Sequence, residues 1–427
     1  MVDGDRIIAV GARAELTQQF PDAGVRDLGE AAILPGLVNA HSHLELTCMR
    51  GFLDAEESNF FAWLRKLTIT RAKMTPEDLY VSAAWGASEA LRAGVTCVGD
   101  ASDSAYQSMS AVRDAGMRGI VYQESFGPDP RLAAENFEAL KLKVERLRER
   151  ETDLVKCGVS PHAPYTVSAP QLELIAGFAL GEKLPVMMHA AETMMEASLL
   201  REGSGPFAEG LANRGIEWNA PGVSTIQYLN AHDILQTRPL LAHCINVDQA
   251  DIQTLRETGS SVAHCPRSNA KLGHGVAPLA AFVDAGVTVG LGSDSVASNN
   301  SCDLLEEARF ALLTARQTAA GENMEMTADR ILEIATLGGA RSLSMDGVVG
   351  ELREGLEADF AVVSLNGTHQ VPSYEPASTL IFNSSGRDVV LTVVAGREVY
   401  RHGRVTTLDE DSLRERMKEI AAKLASS

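Results

Sequence analysis

The chain has 427 residues, 45% of them hydrophobic and 22% charged, proportions of a folded globular protein that exclude a disordered one. Its 38 basic and 57 acidic residues leave a formal charge of −19, which disfavours nucleic-acid backbone and anionic membrane as partners and points to a small-molecule substrate. No window approaches the roughly 18 unbroken apolar residues of a spanning helix, and Met1-Val2-Asp3-Gly4-Asp5 shows no basic segment before an apolar one, so a cytoplasmic protein is expected.

In chain order, residues 6–10 before Gly11 read as a short strand and turn, and another short strand is expected before Ala31. A lone hairpin is not stable in water. Partners are expected at the far end, where residues 359–363 and 389–400 are β-rich and punctuated by glycine. The expectation is a small β-sandwich domain built from both termini, residues 1–35 and 348–427, the latter ending in a helix. It encloses a central domain over 36–347.

In that central domain short apolar runs alternate with longer helical stretches. The runs are 34–43, 96–100, 119–123, 156–160, 184–189, 240–243, 261–264 and 287–292, and helices are expected at 76–93, 133–150, 170–182 and 303–319. Eight β/α repeats mean an α/β fold, a (β/α)8 TIM barrel. The charged run 141–151 is a solvated helix face. The longest connection, about 194–238, carries Gly203-Ser204-Gly205-Pro206 and is expected over the barrel mouth. The six cysteines are scattered with no C-x-x-C, which reads as free thiols and not a zinc ribbon.

Barrel enzymes place chemistry at the C-terminal ends of their strands, so what ends each run is informative. The first run ends in His41-Ser42-His43, two imidazoles at i and i+2 that share one face of a strand. The fourth is followed by His162, the fifth ends in His189, the sixth in His243, and the eighth leads to Asp294. Imidazoles and a carboxylate converging on one rim suit Zn²⁺, with Fe²⁺ the neighbouring alternative. Glu192, three residues past His189, is placed either to touch substrate and water or to cap a helix. His243 is open between a third imidazole ligand and a proton shuttle, and His264 between supporting the site from behind and simple burial. The fourth strand has no lysine at its C-terminal end, Lys156 lying near its start, which argues for one metal.

With these residues laid out, the chain resembles the amidohydrolase superfamily in its adenosine-type deaminase and chlorohydrolase branch. The resemblance rests on 35–43, Ser160-Pro161-His162-Ala163-Pro164-Tyr165, His189-Ala190-Ala191-Glu192, Ala242-His243-Cys244, the run from His264 to Gly275, and 292–300. It implies that His41, His43, His189 and Asp294 bind one divalent metal and that Asp294 also helps deprotonate a water. Glu192 would protonate the purine ring nitrogen, and His243 would orient the water. His162, Trp63, Glu45, Arg71, Ser298 and Asn299 would contact substrate, and His264 would stand behind the metal.

The implied activity is hydrolytic deamination of a 6-aminopurine nucleoside. Glu45-Leu46-Thr47, Phe60-Phe61-Ala62-Trp63-Leu64 and the run 264–269 lean toward 6-amino-6-deoxyfutalosine, of the menaquinone pathway, as substrate. The alternatives are S-adenosylhomocysteine, methylthioadenosine or adenosine, and then a triazine or guanine ring. One departure stands out: where deaminases of the first two usually carry a ribose-binding glutamate, this chain reads Thr68-Ile69-Thr70-Arg71-Ala72, so that Arg71 or Arg65 is a candidate for a substrate carboxylate. Of the H-x-E…P-C-x-x-C signature of cytidine-type zinc deaminases, His43-Leu44-Glu45 matches the first half by coincidence and P-C-x-x-C is missing, which excludes that class. A catalytically dead barrel serving as a scaffold is the rival from outside enzymes; a homodimer is compatible with the sequence.

Overall fold

A computed structural model describes residues 1–318 and 326–426; positions 319 and 427, the expected ends of a helix and of the C-terminal segment, lie outside them. Eight parallel strands form the centre: β1 (Leu37–Ser42), β2 (Val95–Ser102), β3 (Arg118–Ser125), β4 (Val155–Pro161), β5 (Met187–Ala190), β6 (Leu240–His243), β7 (Ser261–His264) and β8 (Thr288–Leu291). They pair in sequence order as two four-stranded sheets, and parallel bridges Val159–Val186 and Ser42–Asp294 join these into a closed barrel. Helices cover the outside, so both faces of each strand are buried. That is why the runs read as continuously apolar and not alternating.

The helices form where composition and caps agree. Pro76–Arg92 begins with a capping box in which Thr75 accepts from Asp78 N and Asp78 accepts from Thr75 N, with proline at the first position. Ala133–Arg148 and Ala169–Glu182 fall where helical periodicity was expected. The connection 194–238 is itself largely helical, as Met194–Glu202, Pro206–Ala212 and Thr225–Ala231, because Thr193 and Ser224 supply N-caps. Phe207 and Leu211 from it wall the barrel mouth.

The termini meet in one five-stranded antiparallel sheet of order Arg404–Val405, Arg397–Arg401, Val389–Val394, Phe360–Ser364, Ala31–Pro35. The N-terminal strand of this sheet begins at Ala31 rather than before it. A two-stranded hairpin, Val2–Asp3 with Arg6–Ile7, bridges to Glu357. Arg118 at the start of β3 donates to both oxygens of Asp359, at 2.9 and 3.0 Å, and so clamps the small β domain to the end of the barrel away from the site. No helix among the described residues is long and apolar enough to cross a membrane.

Candidate active site

The end of β1 is pinned from β2. Asp100 accepts from Leu44 N at 2.7 Å, Ser42 Oγ at 3.1 Å and Ser102 Oγ at 2.7 Å, which fixes the turn in which His43 follows His41. Burial pushes the Asp100 carboxyl up to about 7 against these three bonds. The His41 and His43 rings lie 4.8 Å apart in a T-shape, with His189 of β5 at 4.9 Å from His41 and 5.2 Å from His43.

Hydrogen bonds set which nitrogen of each ring faces inward. His189 Nδ1 donates to the His162 carbonyl at 2.9 Å, which leaves Nε2 as a lone pair 3.1 Å from His43 Nε2. Burial pushes His189 down to about 4, toward the neutral form that ligates metals. Asp294 accepts at Oδ2 from Ser268 Oγ at 2.5 Å and Ser298 Oγ at 2.9 Å, while Oδ1 stands 3.4 Å from His41 Nε2 and 3.6 Å from His43 Nε2. His41 Nε2 is buried without a hydrogen-bond partner. One donor atom each from His41, His189, His243 and Asp294 lies within 4.8 Å of all the others, and His43, Glu124 and His189 form an overlapping group. An unpartnered imidazole nitrogen facing a carboxylate oxygen is the arrangement a divalent metal would complete.

Glu192 lies just past the end of β5, beside this cluster. Its Oε1 is 3.2 Å from His274 Nδ1 and 3.8 Å from His243 Nε2, and His243 Nδ1 meets Asn269 Oδ1 at 2.8 Å. Burial pushes Glu192 up, but the imidazoles of His243 and His274 outweigh it and hold the carboxyl below its ordinary value. Ala191, His243, Cys244 and Asp294 all have positive φ, between 47° and 73°. Left-handed non-glycine residues cost of order 1 kcal/mol or more each, and their clustering at these three strand ends aims the side chains into one space. Glu196 holds the strained turn by accepting from Ala191 N at 2.8 Å and Glu192 N at 3.1 Å. At Gly292 any Cβ would lie 2.8 Å from Cys265 Sγ and 2.9 Å from His41 Cβ, so only glycine lets β8 deliver Asp294 beside His41.

These groups open into a cavity of about 970 Å³. Helix Phe60–Arg71 forms one wall, with Trp63 buried and stacked 5.9 Å from Phe60; Tyr165 stacks on Phe207 at 4.0 Å. His162, Trp63, Glu45, Arg71 and Ser298 all line it. Two of these are already engaged: Arg71 donates through Nε and Nη2 to Glu45 and through Nη1 to Asp103, and Glu45 also receives Asp103 N and Ser104 N. That network braces the helix against the barrel rim. Ser298 both lines the cavity and holds Asp294. Asn299 is spent on the Ser293 carbonyl and the Glu307 carboxylate, outside the lining. His264 is buried at the end of β7 with neither ring nitrogen partnered, and burial pushes it down to about 4.

Sequence reasoning did not single out His274, Glu124, Glu196, Ser268 or Asn269. The motif run from His264 to Gly275 contains three of them, but nothing in its spacing marks which side chains turn inward.

Glu307, which receives Asn299 outside the cavity, gives a test of the packing behind the site. Burial, only partly offset by Arg267, pushes its carboxyl from the ordinary 4.5 up to about 8. A folded value above the unfolded one means a stabilising contribution present below about pH 4.5 and lost as pH rises through about 8. Melting temperature is therefore expected to fall across that interval, and to fall less in Glu307→Gln, as read by calorimetry at stepped pH. Equal slopes for the two proteins would refute the assignment.

A closed barrel with imidazoles and a carboxylate gathered at the C-terminal ends of its strands defines a metal-dependent hydrolase of the (β/α)8 type. A sequence profile described as the amidohydrolase family matches residues 32–399, and the chain belongs to that family. A second profile, an imidazolonepropionase-like composite domain of bacteria, matches residues 2–23. Among its relatives is a 5-methylthioadenosine/S-adenosylhomocysteine deaminase of Syntrophobacter fumaroxidans, 34% identical over 97% of this chain and 91% of that protein. Another of the same description from Syntrophus aciditrophicus is 31% identical over 100% and 92%. The structure is similar to that of an adenosine deaminase from Xanthomonas campestris with bound zinc, with a TM-score of 0.87, 27% identity, and coverage of 100% of this chain and 93% of the other. It shares its fold, at a TM-score of 0.82 and 24% identity, with an atrazine chlorohydrolase of Arthrobacter aurescens, over 99% and 94% of the two chains. The protein is a hydrolytic deaminase of the amidohydrolase family, acting on a C–N bond, in a family that typically binds a divalent metal.

Proposed function

We propose that the protein removes the 6-amino group of an adenine nucleoside of the methylthioadenosine, S-adenosylhomocysteine or adenosine type. The substrate class follows the relatives, which favour it over the 6-amino-6-deoxyfutalosine expected from the sequence. The observation that carries the chemistry is Glu192, a buried carboxyl beside His243 and His274 that shares one cavity with Asp294.

His41, His43, His189 and Asp294 would hold the metal, Zn²⁺ by preference. When bound, that ion supplies Lewis acidity and acidifies water. Asp294 Oδ1, freed by the two serines that occupy Oδ2, takes a proton from the attacking water. His243 Nε2 orients that water, its ring fixed by Asn269. Oxygen adds to C6 while Glu192 delivers a proton to the adjacent ring nitrogen. The proton held by Asp294 passes to the amino group, the C6–N bond breaks and ammonia leaves, and the proton of the added hydroxyl returns to Glu192 as the 6-oxopurine forms. His162, held by Thr166 Oγ1 at 2.9 Å, meets the sugar. Trp63, Phe60 and Phe207 exclude water and offer aromatic faces to the base.

A second reading, 6-amino-6-deoxyfutalosine, draws on the outer cavity. Phe61, Phe126, Arg65 and Arg214 line it there, an aromatic wall with two cations suited to an aryl carboxylate. Arg71, by contrast, already serves Glu45 and Asp103. Ammonia release is the test, with methylthioadenosine, S-adenosylhomocysteine, adenosine and 6-amino-6-deoxyfutalosine at matched concentrations beside guanine, and with chloride release read for atrazine. Turnover of the first three above the fourth is expected; the reverse order selects the second reading. Guanine or atrazine turnover with no ammonia from any adenine nucleoside would overturn both.

A further inference from the structure

One buried carboxyl in the cavity has no part in the chemistry above. Glu124, near the C-terminal end of β3, is 6% exposed and lines the cavity, yet its Oε1 has no hydrogen-bond partner. A buried polar atom left unmade costs more than a typical hydrogen bond contributes, so such an atom calls for a partner that arrives with the ligand. His43 Nδ1 stands 3.9 Å from that oxygen, beyond hydrogen-bond reach. Glu124 is therefore not needed to orient that ring.

Its surroundings narrow what the arriving group can be. Glu45, Asp100 and Asp103 lie close enough to act on Glu124 electrostatically, with Arg71 the single cation among its main influences, and Arg71 is already committed to two of those carboxylates. A phosphate or carboxylate would meet repulsion here, while a neutral hydroxyl can donate to a carboxyl oxygen in either protonation state. A nucleoside has its neutral donors on the sugar. Glu124 lies on the His43 side of the histidine cluster and Glu192 on the His243 side, so a base read by Glu192 leaves the rest of the substrate for the opposite wall.

We propose that Glu124 is a specificity-determining residue that accepts a hydrogen bond from a ribose hydroxyl of the substrate. The assignment rests on the adenine-nucleoside reading above.

The test compares kcat/KM for adenosine, 2′-deoxyadenosine, 3′-deoxyadenosine and 7-deazaadenosine in the wild type, Glu124→Gln and Glu124→Leu. A typical hydrogen bond contributes about 0.5–1.5 kcal/mol, or roughly twofold to tenfold. The wild type is expected to prefer adenosine over one of the deoxy compounds by that factor, Glu124→Leu to lose the preference, and Glu124→Gln to keep part of it. The ratio is taken within one preparation, so a variant that folds poorly or loses metal lowers both rates and leaves it unaltered. An unchanged ratio, or a change confined to the 7-deaza compound, overturns the assignment alone. A wild-type enzyme that releases no ammonia from any adenine nucleoside overturns the underlying reading and the assignment with it.

Discussion

Glu192→Gln is expected to lower kcat by roughly a hundredfold to ten-thousandfold while the protein keeps its metal and its stability. The substitution is nearly isosteric and leaves an oxygen to face His274 Nδ1 at 3.2 Å, so the turn held by Glu196 has no reason to move. What is lost is a group that can hold and release a proton beside the purine ring. Burial favours the protonated form that the reaction needs, and His243 and His274 act against it, which holds the carboxyl below its ordinary value before substrate excludes water from the cavity. Ammonia release and metal content measured on one preparation separate the two effects. Full activity in Glu192→Gln would refute the proton-transfer role.

Asp294→Ala is expected to abolish both turnover and metal retention. The carboxylate is immobilised before any metal arrives, because Ser268 and Ser298 occupy Oδ2 and leave Oδ1 between His41 and His43. Its removal deletes the carboxylate that faces both His41 and His43 and leaves those imidazoles without their nearest anionic partner. Ser268→Ala, which touches only the support, should cost roughly tenfold to a hundredfold in metal affinity or rate. Chelated wild type should recover activity on addition of Zn²⁺, and Asp294→Ala should not. An Asp294→Ala protein that retains a full complement of metal through dialysis against chelator would rule out the ligand assignment.

These effects also show how the site is built. The functional side chains hang from four strand ends and are aimed by neighbours: Asp100 for the His41–His43 turn, Glu196 for Glu192, Asn269 for His243, and the two serines for Asp294. Asp100, Asn269 and Ser268 reach these groups from parts of the chain distant in sequence, and Glu196 and Ser298 from the helices that follow them. Burial pushes Asp100 and Glu196 up to about 7, against the bonds they accept, so the scaffold carries an electrostatic cost for the geometry it fixes.

Local sequence carried the barrel. Strands buried on both faces must be apolar throughout, helices between them need caps and periodicity, and eight repeats of that pattern have few other ways to fold. It also carried His41, His43, His189, His243 and Asp294, because a strand end is a place the pattern itself marks. Partnerships were not legible in the same way. Arg71 looked available for a substrate carboxylate, and Asn299 stood in a motif that implied substrate contact; the first is paired with Glu45 and Asp103, the second with Ser293 and Glu307. Glu124, His274 and Glu196 carry no spacing signal, since what makes them notable is the closeness of groups distant along the chain. Sequence alone thus determined the architecture and the kinds of group at its rim, because those follow from periodicity and strand length. Only the tertiary structure decided which nitrogen faces inward, which carboxyl is spent and which is left open, because closure of the barrel brings β1 against β8 and sets each group among its neighbours.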